Sequence, residues 1–284
     1  MLGNKIRRRI DRIGSLLPVN QVWWSKFNLL RMLVRRYLEA KYKGSILGNL
    51  WPVINQLSQL LIYTYVFSIV LKVKLSLKGL SADDNLTFGL WLFAGLLPWI
   101  AFTTGIVEAG NSVVNQTNLV KKVVFPLSLL PLVPILSAFI ESAVGLAILI
   151  VMTAALSGNL HATLAWLPLI WLTQLLFTVG LGYIVAALTV FLRDTTQSLA
   201  VILNLWFYLT PIVYPVSIIP KQFHNLLFWL NPMAVIAEVY RDLVLEGQIN
   251  HWQEWGYAII TSVFLFWIGL SFYRALRPAF ADVL

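Results

Sequence analysis

Residues 142–192 read SAVGLAILIVMTAALSGNLHATLAWLPLIWLTQLLFTVGLGYIVAALTVFL, without one Asp, Glu, Lys or Arg. A helix that crosses a bilayer needs roughly 20 mostly apolar residues to span about 30 Å of hydrocarbon, so this run is too long for a single crossing. Ser157-Gly158-Asn159-Leu160-His161 breaks it into one helix near 130–156, which starts after Lys122 and contains Glu141, and another near 163–191, closed by Arg193-Asp194. The whole chain of 284 residues has the same character. It is 59% hydrophobic and 12% charged, with a mean hydropathy of +0.78. A soluble surface of this size needs about twice that share of charge. There is no cysteine, which excludes a disulfide framework, thiolate metal sites and cysteine nucleophiles. The net charge of +9 clusters at one end, a membrane pattern and not that of a nucleic-acid binder.

Working outward, charge-free runs predict further crossings at 50–71, 86–108, 195–214 and 255–273. The stretch 216–246 is apolar, but Pro220 and Asn231-Pro232 cut it into pieces too short to span. Read as one broken crossing, it separates Arg274 and Arg277 from the N-terminus; read as a re-entrant pair of short helices, it keeps them on one side. The re-entrant reading is preferred, and non-helical backbone at that depth then requires shielding by protein. With six crossings, sixteen Lys/Arg fall on the N-terminal side and five on the other, which places both termini in the cytoplasm. No cleavable signal pattern is expected, since a long basic region precedes the first apolar stretch. The expected fold is an all-α membrane protein with six transmembrane helices per subunit. Its parts are a cytoplasmic segment 1–21, an amphipathic interfacial helix 22–43, and a transmembrane domain 49–276.

In the 22–43 helix, Trp23, Phe27, Leu30, Val34, Tyr37 and Leu38 share one face, and Arg31, Arg35, Arg36, Glu39 and Lys43 lie mostly opposite. A basic helix with an aromatic face lies in the membrane interface, although an ordinary soluble helix docked on a partner has the same pattern. Lys26 and Lys41 break the apolar face and are expected to snorkel to the headgroups. Gly44 and Gly48 form the elbow before Trp51-Pro52, with Pro at a tolerated first-turn position.

Enzyme signatures are missing. There is no Gly-x-x-x-x-Gly-Lys-[Ser/Thr] phosphate loop, no HExxH and no Ser-His-Asp arrangement, and His161, His224 and His251 have no carboxylates at ligand spacing. The Gly180-x-Gly182 pair inside an apolar helix is read as helix packing. Intramembrane ionisable residues mark functional sites by default. Glu141 therefore stands either as a functional acid or as a group bonded to a neighbouring helix, and Glu108 is close enough to a helix end to reach water. Glu238, Arg241 and Asp242 are spaced to share a face, where they either pair to bury charge or line an outer vestibule. Tyr63 with Phe67 and Asn204 with Tyr208 are also spaced for one face, and such faces suit sugar rings as well as ordinary packing.

Arg36-Tyr37, Tyr42-Lys43-Gly44-Ser45-Ile46-Leu47-Gly48-Asn49-Leu50-Trp51-Pro52 and Gly95-Leu96-Leu97-Pro98-Trp99 are followed by Asn118-Leu119-Val120-Lys121-Lys122 with Phe125-Pro126. Arg193-Asp194, Tyr208-Leu209-Thr210-Pro211-Ile212-Val213-Tyr214-Pro215, Asn231-Pro232 and Tyr240-Arg241 complete the order. From about residue 30 onward this series resembles the permease subunit of ABC-2-type polysaccharide and polyol-phosphate exporters. The resemblance implies a homodimer in the bacterial cytoplasmic membrane joined to two cytosolic ATPase subunits, which bind the ATP and Mg; this chain itself holds no cofactor. The implied cargo is a glycan or polyol-phosphate chain on a polyprenyl diphosphate lipid, with O-antigen first and capsule or teichoic acid as alternatives. The resemblance assigns ATPase coupling to Asn118, Leu119, Val120, Lys121, Lys122 and Phe125. It assigns the channel between subunits to the first and fifth crossings, and hence to Tyr63, Phe67, Asn204 and Tyr208. The interfacial helix carries Trp23, Phe27, Arg31, Arg35 and Arg36. Two other functions fit less well: an ABC-2 permease for a small lipid or drug, and an ion-coupled carrier, which would need a fuller relay of intramembrane charge.

Overall fold

A computed structural model of the chain describes residues 21–73, 85–122, 125–158 and 160–284. The expectations for the segment 1–20, Lys74, Lys78, Asn159 and residues 123–124 lie outside the described residues, as do the side chains of Trp23 and Lys122. The described chain is almost entirely helical. Among the described residues, five helical stretches are long and apolar enough to cross a membrane, at Trp51–Val70, Leu86–Ser112, Leu127–Ser157, Ala162–Phe191 and Trp252–Val283.

The first helix, α1 (Gln21–Lys41), ends with Lys41 in its last turn, where a cation offsets the exposed carbonyls. Gly44 and Gly48 then adopt φ of +84° and +46°, a region closed to most side chains, and nothing lies within 4 Å of where a Cβ would sit. The turn demands these glycines, and packing does not. Helix α2 (Trp51–Tyr63) has Pro52 in its first turn and continues as π-helical turns over Thr64–Val70. Helix α3 (Asn85–Ser112) is the hub, buried at every position from Thr87 to Trp99, as expected of a helix apolar all round. It tolerates Pro98, whose carbonyl accepts a bond from Gln174 Nε2 at 2.8 Å.

Short α4 (Thr117–Lys122) leads to α5 (Leu132–Ser157), which stops at Gly158 with φ +70° in a left-handed cap. Helix α6 (Leu167–Phe191) follows, then α7 (Thr195–Leu209). The 195–214 crossing thus ends five residues early, because Pro211 has no amide to donate and forces Thr210 into extended backbone. At 15 residues, α7 is shorter than a full span. Beyond it come α8 (His224–Leu230) and α9 (Pro232–Arg241), the latter prolonged by π turns over Asp242–Glu246. Every residue from Pro232 to Leu245 is buried. Helix α10 (Trp252–Leu276) and the short α11 (Phe280–Val283) close the chain. Helices α6 and α10 approach so closely that a Cβ on Gly269 would strike the Gly180 backbone, so Gly180 serves helix packing.

Helix lengths can be set against the thickness of a bilayer. The Trp51–Val70 span is 20 residues, just enough for the hydrocarbon core. Gln56 near its start faces Gly145, halfway along α5. The spans Leu127–Ser157 and Trp252–Val283 run 31 and 32 residues. Within these spans the continuous helices α5 and α10 are 26 and 25 residues long, and short 3-10 and helical turns supply the rest. Glu108, near the end of α3, and Glu141, in the first half of α5, both face the end of α1.

Candidate functional site

The α1 helix is held by those two glutamates. Lys41 Nζ donates to Glu141 Oε2 at 3.0 Å and lies 3.5 Å from Glu108 Oε1. Tyr42 Oη donates to the other Glu141 oxygen at 2.7 Å, and Tyr37 Oη donates to Glu108 at 3.1 Å. Burial, and then the adjoining carboxylates, push both tyrosine hydroxyls above their usual pKa, which keeps them protonated as donors. Lys41 therefore does not snorkel to the headgroups: two carboxylates on neighbouring helices offer it a better partner than water. Glu141 is hydrogen-bonded to a neighbouring helix, as one of its two readings expected. On the outer side of α1, Phe27 is 56% exposed, Arg31 and Arg36 are exposed, and Arg35 pairs with Glu39 at 2.7 Å.

Helix α4 follows directly on α3. Leu119, Val120 and Phe125 pack against a cluster that includes Ile135, Tyr183, Tyr273 and Phe280, and α4 itself lies against the C-terminal α11. Asn118 and Lys121 point outward. This is a short exposed helix on a rigid seat.

Of the aromatic pairs, Asn204 and Tyr208 are exposed, Tyr208 at 64%. Tyr63 and Phe67, by contrast, are half-buried, and Phe67 lies 5.7 Å from Phe88 of the hub helix. The exposed stripe of the first span runs through Leu57, Leu61, Tyr65 and Ile69, with Tyr65 59% exposed. Tyr65 is not part of the Tyr63/Phe67 face named from the sequence; its spacing from Leu61 and Ile69 is the signal that sets it on the exposed stripe.

Arg241 is the most densely bonded buried charge. At 1% exposure its guanidinium reaches Glu238 Oε1 at 2.6 Å, the carbonyls of Pro211 and Ile212 at 2.8 Å each, and that of Trp91 at 3.3 Å. It also stacks 3.5 Å over the Trp91 ring, in space that a side chain at Gly95 would fill. Asn231 bridges Trp206 Nε1 and Thr210 Oγ1 at 2.9 Å each and caps α9. Tyr240 Oη donates to Gln174, which in turn bonds Pro98. Four motifs far apart in the chain, around Gly95, Pro211, Asn231 and Arg241, thus meet in one knot behind the break after α7. Asp242 faces the opposite way, accepting from the Asn250 and His251 amides at 2.8 and 3.2 Å, with His251 Nδ1 at 2.9 Å. Glu238 and Arg241 therefore pair, and Asp242 serves a separate contact.

Among the described residues the arrangement consists of anchored helices, exposed apolar faces and an outward-facing short helix. The sequence profile described as ABC-2 type transporter matches residues 28–245. The O-antigen export system permease protein RfbA of Myxococcus xanthus is 31% identical over 255 residues, 89% of this chain and 94% of the relative. A protein of the same name from Klebsiella pneumoniae is 29% identical over 259 residues, covering 91% and 95%. The polysialic acid transport protein KpsM of Escherichia coli is 23% identical over 255 residues, covering 87% and 93%. With the profile spanning most of the described helices and these relatives aligned along nearly their full lengths, the chain belongs to the ABC-2 type transporter family.

Proposed function

We propose that this chain is the membrane-embedded subunit of an ATP-driven exporter that moves a polyprenyl-diphosphate-linked polysaccharide, O-antigen first, across the bacterial inner membrane. The observation that carries this is the 31% identity to an O-antigen export permease, extending over nearly all of both chains. Two copies stand side by side with two cytosolic ATPase subunits. The exposed stripes of α2 and α7 support this pairing: both border the hub helix α3 and both leave large apolar side chains and tyrosines uncovered. Tyr65, Asn204 and Tyr208 are the side chains placed to meet sugar there, with Tyr63 and Phe67 supporting them from behind. In the six-crossing topology α7 and the Thr210–Tyr214 turn form the fifth crossing, 216–246 re-enters, and both termini are cytoplasmic. Complete burial of Pro232–Leu245 supports re-entry, since such backbone needs protein around it. Helix α4, with Asn118 and Lys121 outward, receives the ATPase stroke, and its packed seat passes the motion to α5, α6 and α10. A capsular polysaccharide is the second cargo reading, favoured by the similarity to a polysialic acid transport protein.

One experiment tests the core of this. Affinity purification of the chain from its own cell should bring down a cytosolic ATPase, and a K121E/K122E variant should recover less of it while inserting normally. Deletion should leave lipid-linked polymer on the inner side of the membrane. If transport proceeds in vesicles without any ATPase subunit, the assignment is refuted.

A further inference from the structure

Between α4 and α5 the chain makes a turn that its own backbone leaves short of donors. After Phe125-Pro126, residues Leu127–Leu129 form a single 3-10 turn, and α5 begins at Leu132. Pro131 stands between the two and has no amide hydrogen. It therefore gives neither the α-type bond to the Leu127 carbonyl nor the 3-10 bond to the Ser128 carbonyl. The Leu127 oxygen takes the Leu130 amide at 3.0 Å, and two tyrosines from distant helices supply the rest. Tyr273 Oη of α10 donates to the Leu127 carbonyl, and Tyr183 Oη of α6 to the Ser128 carbonyl, each at 2.9 Å. Both tyrosines are buried, with ring centroids 5.1 Å apart. Phe280 of α11 closes edge-on over Tyr273 at 5.3 Å, and α11 lies against α4. Phenylalanine would fill the same space without a hydroxyl to bury, so packing alone does not call for tyrosine at both positions.

We propose that Tyr183 and Tyr273 are positioning residues that convey a displacement of α4 to α6 and α10, an inference resting on the reading of α4 as the helix that meets the ATPase. Two hydrogen bonds from two different helices hold successive carbonyls, so the 127–129 turn cannot swing by itself. A push on α4 is then passed on as a rigid shift. Helices α6 and α10 receive it as one body, because Gly180 and Gly269 bring their backbones into contact. Helix α7 follows α6 across residues 192–194 alone, so the shift reaches the exposed face that carries Asn204 and Tyr208. Without the two hydroxyls the turn absorbs the push locally, and α6 stays in place.

Y183F, Y273F and Y183F/Y273F keep both rings and remove one or both hydroxyls. Each is expressed in a deletion strain of the native cell, where the initial rate of surface-glycan appearance is measured, and ATP hydrolysis is measured in the complex purified from the same cells. Each single variant should capture as much ATPase as the unmodified chain and hydrolyse ATP as fast. Glycan appearance relative to hydrolysis should fall about fivefold for each hydroxyl, the factor expected of one hydrogen bond. Hydrogen exchange over residues 127–132 of the purified chain reads the turn without any ATPase, and should quicken in the double variant. A ratio of export to hydrolysis unchanged in the double variant, or unchanged exchange over 127–132, overturns the proposal. A joint fall in chain recovery, ATPase capture and export also overturns it, and assigns the hydroxyls to stability alone. If the unmodified chain captures no ATPase, the export reading itself is lost, an outcome visible before any variant is compared.

Discussion

Replacing Glu141 should release the end of α1, by an amount that can be worked from its bonds. The carboxylate accepts from Lys41 Nζ at 3.0 Å and from Tyr42 Oη at 2.7 Å. Bonds to a charged group contribute about 1.5–3 kcal/mol when well buried, and exposed ion pairs about 0–1. Here the side chains are 31% exposed for Lys41 and 17% for Glu141, so the lysine bond is set at about 1 kcal/mol and the tyrosine bond at about 1.5. E141A loses both and strands a half-buried hydroxyl, for a cost of about 2–4 kcal/mol. E141Q keeps an acceptor for Tyr42 and loses only the charge, about 1 kcal/mol. Lys41 retains Glu108 at 3.5 Å, which limits the loss. Native-state hydrogen exchange over the last two turns of α1 reads this local opening directly. Each 1.4 kcal/mol is a tenfold change in protection, so E141A should exchange roughly 30- to 1000-fold faster there. A K41M/E141Q cycle should show coupling of about 0.5–1.5 kcal/mol. Zero coupling, with α1 protection unchanged in E141A, would refute the clamp.

R241M should be more damaging than any surface change, costing about 3–5 kcal/mol, because it leaves Glu238 charged and unpaired among buried groups. Monodisperse yield in detergent should fall, amides around 210–214 should lose exchange protection, and E238Q/R241M should recover part of both. For His251, burial lowers the imidazole pKa, but the Asp242 hydrogen bond and charge outweigh it, so the net shift is upward from 6.5. The pair's contribution is therefore complete below about pH 6.5 and is lost as pH rises through the raised native value. The melting difference between the wild type and H251Q, at most about 1 kcal/mol for a partly exposed pair, should narrow between pH 6 and 9. A gap that is constant with pH would show that His251 acts through its shape alone.

Five of the six expected spans have counterparts long and apolar enough to cross a membrane, because bilayer thickness acts on composition alone; 195–214 does not, since its helix stops at Leu209. The elbow at Gly44 and Gly48 was legible for a similarly local reason, the backbone angles only glycine accepts. Helix spacing, however, tells which residues share a face and not where that face points. Tyr63 and Phe67 do share one, and it turns inward because Phe88 on the hub offers more apolar contact than the outer surface; Tyr65, two residues on, takes the exposed side. Long-range polar partners leave no local trace either. Lys41 looked like a defect in an amphipathic helix because its two acids lie far along the chain, on α3 and α5. The same holds for Arg241: its spacing from Glu238 left an ion pair and a vestibule lining as alternatives, and the Pro211, Ile212 and Trp91 carbonyls become its acceptors only once α7 breaks and folds back on the hub. That explains why the quoted motifs occur as short islands of Gly, Pro, Asn and Arg in a sea of interchangeable apolar residues. Lipid-facing and core positions ask only for hydrophobic volume, whereas the proline break after α7 leaves the Pro211 and Ile212 carbonyls to be met by the Arg241 guanidinium from a fixed position, with Asn231 holding the Thr210 hydroxyl and the Trp206 indole beside them.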